Sequence, residues 1–98
     1  MLDASARKYL RGRAHHLEAV VQIGKDGVTD QVIQEIERTA DRVELLKIRV
    51  RPNAPLGARE TAASLASRLR GEIIGTVGRV IIYFLPGKDE TAFPEIKR

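Results

Sequence analysis

The sequence predicts one α/β domain with the element order α-β-α-β-α-β-β and a four-stranded mixed sheet packed with helices. Two observations predict this class: apolar residues recur at helical spacing in three segments, and four short runs rich in β-branched residues lie between or after them. A chain of 98 residues, 43 per cent of them hydrophobic, has the size of one domain. We therefore expect a single domain over residues 1–98, with an ordered core at about 4–84 and a loose tail at 85–98.

Two helices and a strand are predicted in the first half of the chain. Asp3 and Ser5 are candidate N-caps of a first helix from about Ala4 to Arg13. A short apolar run with β-branched residues predicts a strand from about Ala19 to Ile23. Thr29 can cap a second helix, in which four apolar residues recur at helical spacing: Val32, Ile33, Ile36 and Ala40.

The second half of the chain predicts a strand, a helix and a hairpin. Apolar and basic residues alternate in ELLKIRVR (residues 44–51), as in a half-buried strand. After the loop PNAPLG, apolar residues at helical spacing predict a third helix from Ala58 to Arg70, ending at Gly71. Two strand-like runs then meet near residues 77–79, where Gly78 permits the tight turn of a hairpin.

Composition limits the compartment and weakly favours a polyanionic partner. The net charge is +4 and the sequence pI is near 9.9. The chain has no cysteine, which excludes disulfides and thiolate metal sites. No apolar run approaches the roughly 20 residues of a membrane span, and no signal-peptide pattern follows the start. We expect a cytoplasmic protein without membrane contact.

A glycine loop, IGKDGVTDQVI (residues 23–33), joins the first strand to the second helix. Gly24 and Gly27 allow a tight turn and a close approach of another molecule to the backbone. The unpaired N–H groups of a helix N-terminus attract anions, and Lys25 adds a positive charge beside them. Asp26 and Asp30 oppose that charge. The pattern indicates a moderate phosphate contact, or, as the alternative, a tight turn without a ligand.

The known catalytic motifs are absent from the sequence. Residues 19–27 lack the first glycine and the hydroxyl residue of a P-loop, and GEIIGTVG has the wrong spacing for a dinucleotide fingerprint. There is no HExxH, no nucleophile elbow and no Cys-His metal spacing. His15 is expected to be buried or hydrogen-bonded rather than catalytic. We expect no enzyme activity, no cofactor and no metal.

Several motifs in matching order carry a family resemblance. They are Arg-Gly-x-Ala-His at residues 11–15, Ile-Gly-Lys-x-Gly-Val-Thr at 23–29, Glu-Leu-x-Lys-Ile at 44–48, and GRVIIYF at 78–84. On these motifs, the chain from about Ala6 to Tyr83 resembles the CRM domain (chloroplast RNA splicing and ribosome maturation), and most closely its bacterial single-domain, YhbY-like members. Phe84 follows Tyr83 where family members commonly have arginine, and Gly78-Arg79 fits a common Gly-Lys.

The resemblance implies a compact α/β RNA-binding fold with a four-stranded sheet, associated in bacteria with precursors of the large ribosomal subunit. It places residues 24–27 on the family's GxxG loop. Together with the basic residues, it predicts an RNA site whose members are Gly24, Lys25, Asp26, Gly27, Lys8, Arg11, Arg13, Lys47, Arg49 and Arg79. The expected partner is ribosomal RNA or a pre-ribosomal large subunit, bound by a monomer.

Other interpretations remain open at this stage. Lys8, Arg11 and Arg13 lie in an acid-free segment that is either an RNA-facing surface, a solvated helix face or a transit segment. Lys47, Arg49 and Arg51 share one face of their strand, and form an open basic row if helices cover the other face; alternatively they pair with acids of the third helix. For function, the alternative is an adaptor whose basic surface binds an acidic protein, with a duplex DNA binder as a weaker third option.

Overall fold

The computed structural model describes residues 2–87, which contain three helices and four strands in the predicted order. The elements are α1 (Ala4–Ala14), β1 (Ala19–Ile23), α2 (Asp30–Val43), β2 (Leu45–Val50), α3 (Ala58–Ala66), β3 (Glu72–Val77) and β4 (Val80–Phe84). The strands form one sheet in the order β1-β2-β4-β3, in which β1 and β2 are parallel and the other pairs antiparallel. The predicted α/β domain with a four-stranded mixed sheet is confirmed.

Local hydrogen bonds explain where the first two helices begin. Asp3, not Ser5, caps α1: its side chain accepts a hydrogen bond from the Ala6 N–H at 2.8 Å. Thr29 caps α2 as predicted, because its hydroxyl oxygen accepts from the Val32 N–H at 3.1 Å. Both caps satisfy N–H groups that have no partner within the helix.

The third helix is shorter than the sequence predicts. It ends at Ala66, four residues before the expected end at Arg70. The Ser67 hydroxyl donates to the Ser64 carbonyl at 2.8 Å, and the Arg68 and Leu69 N–H groups both converge on the Leu65 carbonyl. The Ser67 side chain thus competes for a backbone carbonyl with the hydrogen bonds of the helix, and α3 ends in a turn. Leu69 fits the apolar spacing of the helix because it packs into the core, although it lies beyond the end of α3.

Helices cover the two sides of the sheet unequally. On one side, α2 and α3 pack over alternate strand residues, with a core that includes Ile36, Leu65, Ile48 and Tyr83. On the opposite side, which we call the α1 side, a smaller cluster joins α1 to one end of the sheet: Leu10, Ala14, Leu45, Ile74, Ile82 and Phe84. The remaining part of the α1 side therefore has no helix over it.

The end of the described chain differs from the predicted loose tail. Leu85 packs against the core, and its N–H donates to the Glu44 carbonyl at 2.8 Å. Residues 88–98, which form the rest of that predicted tail, lie outside the described residues.

Candidate nucleic-acid interface

The glycine loop is a closed turn that presents two exposed side chains. The Gly27 N–H donates to the Gly24 carbonyl at 3.0 Å, and Lys25 and Asp26 stand exposed between them. Gly27 has a φ of +68°, and a Cβ there would lie 3.1 Å from Pro55 Cγ. Nothing lies within 4 Å of a Cβ built on Gly24. The turn therefore requires glycine at position 27 on grounds of conformation and space, and not at position 24.

Three chain segments meet beside this turn at one edge of the sheet, which we call the loop edge (residues 24–29, 51–57 and 78–79). The carboxyl ends of β1 and β2 are neighbours because these strands are parallel, and the Arg51 N–H donates to the Ile23 carbonyl at 2.8 Å. The Val50 N–H donates to the Arg79 carbonyl at 2.7 Å, which brings the β3–β4 turn to the same edge. Lys25, Arg51 and Arg79 are thereby brought together.

Asp30, at the start of α2, lies near the loop edge but has a partner. The Arg68 guanidinium forms an ion pair with its carboxylate. Asp30 therefore opposes the positive charge of the loop less than the sequence suggests. Asp26 remains exposed in the turn.

The part of the α1 side that α1 leaves uncovered is a basic concave surface, which we call the open sheet face (Gln22, Lys47, Arg49 and Val80). It encloses a concavity of about 350 Å³ that these four residues line together with Leu17, Ala19 and one acid, the exposed Glu18. The strand register places Gln22 beside Arg49, and Arg49 beside Val80. Lys47 Nζ donates to the Leu17 carbonyl at 3.0 Å, which holds its ammonium group at this surface. The predicted open basic row is present, because α2 and α3 cover the other side.

The loop edge, the open sheet face and Arg11 of α1, which lies beside Lys47 and Val80, together form one cationic strip. Its members are Arg11, Lys25, Lys47, Arg49, Arg51 and Arg79. Lys47 is half-buried and the other five are exposed. Within residues 2–87, none of the six forms an ion pair with a carboxylate. The basic row is therefore not explained by pairing with acids of α3. Arg51 was not among the predicted site residues, although its alternation with Lys47 and Arg49 places it on the same face.

The basic residues of α1 do not form one patch. At about 100° per residue, Arg11 and Arg13 lie on opposite flanks of the helix. The Arg11 side chain extends to β3: its Cδ lies 3.8 Å from the position that a Cβ would occupy on Gly75. Arg13 instead donates to the Tyr9 hydroxyl at 2.7 Å and lies over the Tyr9 ring. Lys8 is exposed on the outer surface of the helix. Of the three predicted α1 residues, the structure brings only Arg11 to the strip.

Arg7 has a structural contact that the sequence did not indicate. Its guanidinium forms an ion pair with Glu72 at 3.1 Å and donates to the Ile73 carbonyl at 2.9 Å. These bonds fasten α1 to β3. Together with the packing of Leu10 and Ala14 on the sheet, they set the position of α1 and with it the extent of the open sheet face.

We expected His15 to be buried or hydrogen-bonded; it is exposed, so the first of these alternatives is wrong. It lies at the C-cap of α1, one residue beyond the last buried position, and only its backbone N–H bonds to the preceding turn. Its ring instead contacts the His16 ring edge-on, with the centroids 5.4 Å apart.

Phe84, where family members commonly have arginine, is 1% exposed and packs with Leu10 and Leu45. Position 84 therefore belongs to the core and not to the strip.

A buried tyrosine lies on the far side of the sheet from the strip. The Tyr83 hydroxyl accepts from the Gly71 N–H at 2.8 Å and donates to Glu37 Oε1 at 3.4 Å. Glu37 also pairs with Arg70 at 2.9 Å, and Arg70 with Asp41 at 3.3 Å. Burial raises the pKa of Tyr83 to about 12. These contacts join β4, α2 and the segment after α3, and the acids among them leave this side of the protein more negative than the strip.

Two kinds of site are not found in the part of the chain that the structure describes. No group of three or more His, Asp or Glu side chains there is placed to hold a metal ion. Every helix within residues 2–87 is too short or too polar to cross a membrane.

The fold and the strip define a small α/β domain whose sheet is covered by two helices on one side and presents an uncovered basic surface on the other. The sequence model of the CRS1 / YhbY (CRM) domain matches residues 2–84. The chain belongs to this family, as its motifs predicted.

Relatives and a solved structure agree with that assignment. "Probable RNA-binding protein YqeI" of Bacillus subtilis is 32% identical over 89 residues, which are 91% of this chain and 93% of the relative. "Probable RNA-binding protein MJ0652" of Methanocaldococcus jannaschii is 39% identical over 87 residues, 87% of this chain but 64% of the longer relative. The solution structure of SAV1595 from Staphylococcus aureus superposes with a TM-score of 0.80 at 31% identity, covering 99% of this chain and 98% of that one.

Proposed function

We propose that this protein binds structured ribosomal RNA and associates with precursors of the large ribosomal subunit. The observation that carries the proposal is the cationic strip, in which six basic side chains lie along one edge and one face of the sheet without a carboxylate partner among residues 2–87. Membership of the CRM family and the names of the relatives support RNA as the polyanion. The resemblance to bacterial YhbY-like proteins supports the ribosomal precursor.

The strip suits contact with the sugar-phosphate backbone. Alternate residues of a strand lie about 7 Å apart on one face, so Lys47 and Arg49 of β2, continued by Arg51 just beyond its end, form a row of positive charges. Lys25 adds a charge where the chain turns into α2, and Gly27 keeps that turn tight enough for a phosphate to approach. Such contacts position an RNA without reading its sequence.

The shortage of exposed aromatic rings favours recognition of backbone and shape. Tyr83 and Phe84 are buried, and Tyr9 is half-buried beneath Arg13. The described residues therefore offer no platform on which several bases can stack. We further propose that the protein acts in the cytoplasm as a monomer, and that its role is binding rather than catalysis.

The proposal is tested by comparing three polyanions of equal charge: a hairpin fragment of large-subunit ribosomal RNA, a DNA duplex and polyglutamate. Fluorescence anisotropy at several salt concentrations should show tightest binding to the RNA and a steep loss of affinity with salt. Tightest binding to polyglutamate would favour the adaptor alternative, and equal binding to DNA and RNA would favour the duplex DNA binder.

A matched pair of variants separates the strip from net charge. Arg49→Ala with Arg51→Ala removes two cations from the strip, and Arg38→Ala with Arg42→Ala removes two from α2, on the other side of the sheet. We expect only the first pair to weaken RNA binding strongly. Crosslinking in cells, followed by sequencing of the bound RNA, should recover precursor sequences of the large subunit; recovery of unrelated messenger RNA would contradict the ribosomal part of the proposal.

A further inference from the structure

Beside the C-terminal end of α1, the α1 side contains a second and smaller hollow of about 140 Å³. Its lining combines apolar side chains of the β3–β4 hairpin with basic or ring side chains: Val77, Val80, Ile82, Arg11, His15 and Lys47. It shares Lys47 and Val80 with the open sheet face, so the two concavities adjoin. We propose that this hollow receives one unpaired nucleobase of the bound RNA. The inference rests on the proposed function above.

The hollow exists because α1 ends beside it and because one residue of β3 has no side chain to fill it. α1 covers Leu45, Ile74 and Phe84 and ends at Ala14, where the chain turns back toward β1. Gly75, which pairs with Ile82 in the sheet, has no side chain to fill the space. Val77, the last residue of β3, is 64% exposed although it is apolar and lies in a strand. An apolar surface is thus left uncovered inside a basic surround.

The chemistry of the lining suits a nucleobase. A base is a flat, largely apolar ring system joined to a charged backbone, so a site for one nucleotide combines a surface on which the ring leaves water with cations for the phosphate. The valine and isoleucine side chains supply the apolar floor. The Arg11 guanidinium and the His15 ring are flat groups on which a base can stack. None of the lining residues is acidic, which favours a polyanion over a cationic ligand.

The neighbouring charges fit the backbone of the same nucleotide. Lys47 lies at the junction of the hollow and the open sheet face, and its bond to the Leu17 carbonyl keeps its ammonium group there. Arg49, two residues along β2, continues the row. An RNA strand that follows the row therefore passes the mouth of the hollow. Since the floor offers only aliphatic groups, the hollow should accept any of the four bases.

The test uses three hairpin RNAs that differ at one position: a single unpaired nucleotide, the same nucleotide without its base, and no unpaired nucleotide. We expect the parent protein to bind the first about fivefold more tightly than the second, the lower end of what one stacked base contributes. Equal affinity for the base-bearing and abasic RNAs, with RNA binding retained, would overturn the hollow and leave the proposed function standing. Failure to bind any RNA would overturn both.

Protein variants then locate the effect. His15→Ala combined with Val77→Ala should abolish the fivefold preference and leave affinity for the abasic RNA unchanged, because both residues are exposed and neither is a cation of the strip. The control pair, His16→Ala with Val43→Ala, removes a histidine outside the lining and a valine that is 44% exposed at the end of α2; it should keep the preference. If His15→Ala with Val77→Ala lowers the affinity for the base-bearing and the abasic RNA equally, the inference is overturned. Val77→Thr, which keeps the β-branched shape, provides a second variant if the first pair does not fold.

Discussion

Replacing Lys25 by alanine tests the central contact of the proposed interface. Lys25 is exposed in the turn between β1 and α2, so Lys25→Ala should leave the circular dichroism spectrum and the melting temperature unchanged. If Lys25 contacts phosphate, its loss removes one released counterion from the binding equilibrium. The salt dependence of RNA affinity therefore tests for the phosphate contact more directly than the affinity at one salt concentration.

The magnitude follows from the six cations of the strip. If all six contact phosphates, the slope of log K against log salt should be about −4 to −5, and Lys25→Ala should reduce its magnitude by about 0.7 to 0.9. The assay is fluorescence anisotropy between 50 and 200 mM salt. Across that range, the affinity of Lys25→Ala for RNA should fall by a factor about threefold smaller than the affinity of the parent protein does. The loss should be similar across RNA sequences, because a phosphate contact reads no base.

Arg38→Ala is the control, because Arg38 is exposed on α2 and its removal changes the net charge by the same amount. It should leave the slope close to that of the parent protein. If the two variants have the same slope, the turn does not contact phosphate, and the reasoning from the loop edge is refuted.

Three further predictions concern the turn, the buried tyrosine and α1. Gly27→Val should lower the free energy of unfolding by about 1 to 3 kcal/mol in urea denaturation, because φ is +68° there, whereas Gly24→Ala should cost little; equal losses would contradict the strain argument. Tyr83→Phe should cost about 1 to 2 kcal/mol by leaving the half-buried Gly71 N–H group without its acceptor. Because the folded-state pKa of Tyr83 is raised from 10.0 to about 12, the parent should hold its tyrosine-linked stability below pH 10 and lose it as the pH rises from 10 to 12, a loss that the phenylalanine variant should lack. Arg11→Ala should weaken RNA binding about threefold and Arg13→Ala hardly at all, as measured by anisotropy; the reverse order would place the RNA on the other flank of α1.

The elements were predictable from the sequence because their signals are local. Period-two and helical spacings depend on neighbours within a few residues, and the caps Asp3 and Thr29 bond N–H groups three residues away. The need for a left-handed conformation at Gly27 and Gly78 is also local, and both have positive φ. The early end of α3 escaped prediction because apolar spacing to Leu69 masked the competing bond of Ser67.

The candidate site was only partly accessible from the sequence. The GxxG loop and the alternation of Lys47, Arg49 and Arg51 are visible in one dimension, and the structure places them on adjoining surfaces. Helical spacing alone puts Arg11 and Arg13 on opposite flanks of α1, but the sequence did not reveal which of the two flanks faces β3. Nothing local marked Val77 or His15 as lining a hollow.

The class of fold, the order of its elements, the turns that need glycine and the family of the chain could all be inferred from the amino-acid sequence. The folded structure was needed to show that Lys25, Arg51 and Arg79, more than 20 residues apart along the chain, lie at one edge of the sheet. It also showed that Asp30 is paired with Arg68 and that α1 leaves part of one sheet side uncovered. This division arises because periodic spacing and capping involve residues within one or two helical turns of each other. The parallel pairing of β1 with β2, and the ion pair that fastens α1 to β3, join residues that are distant in sequence.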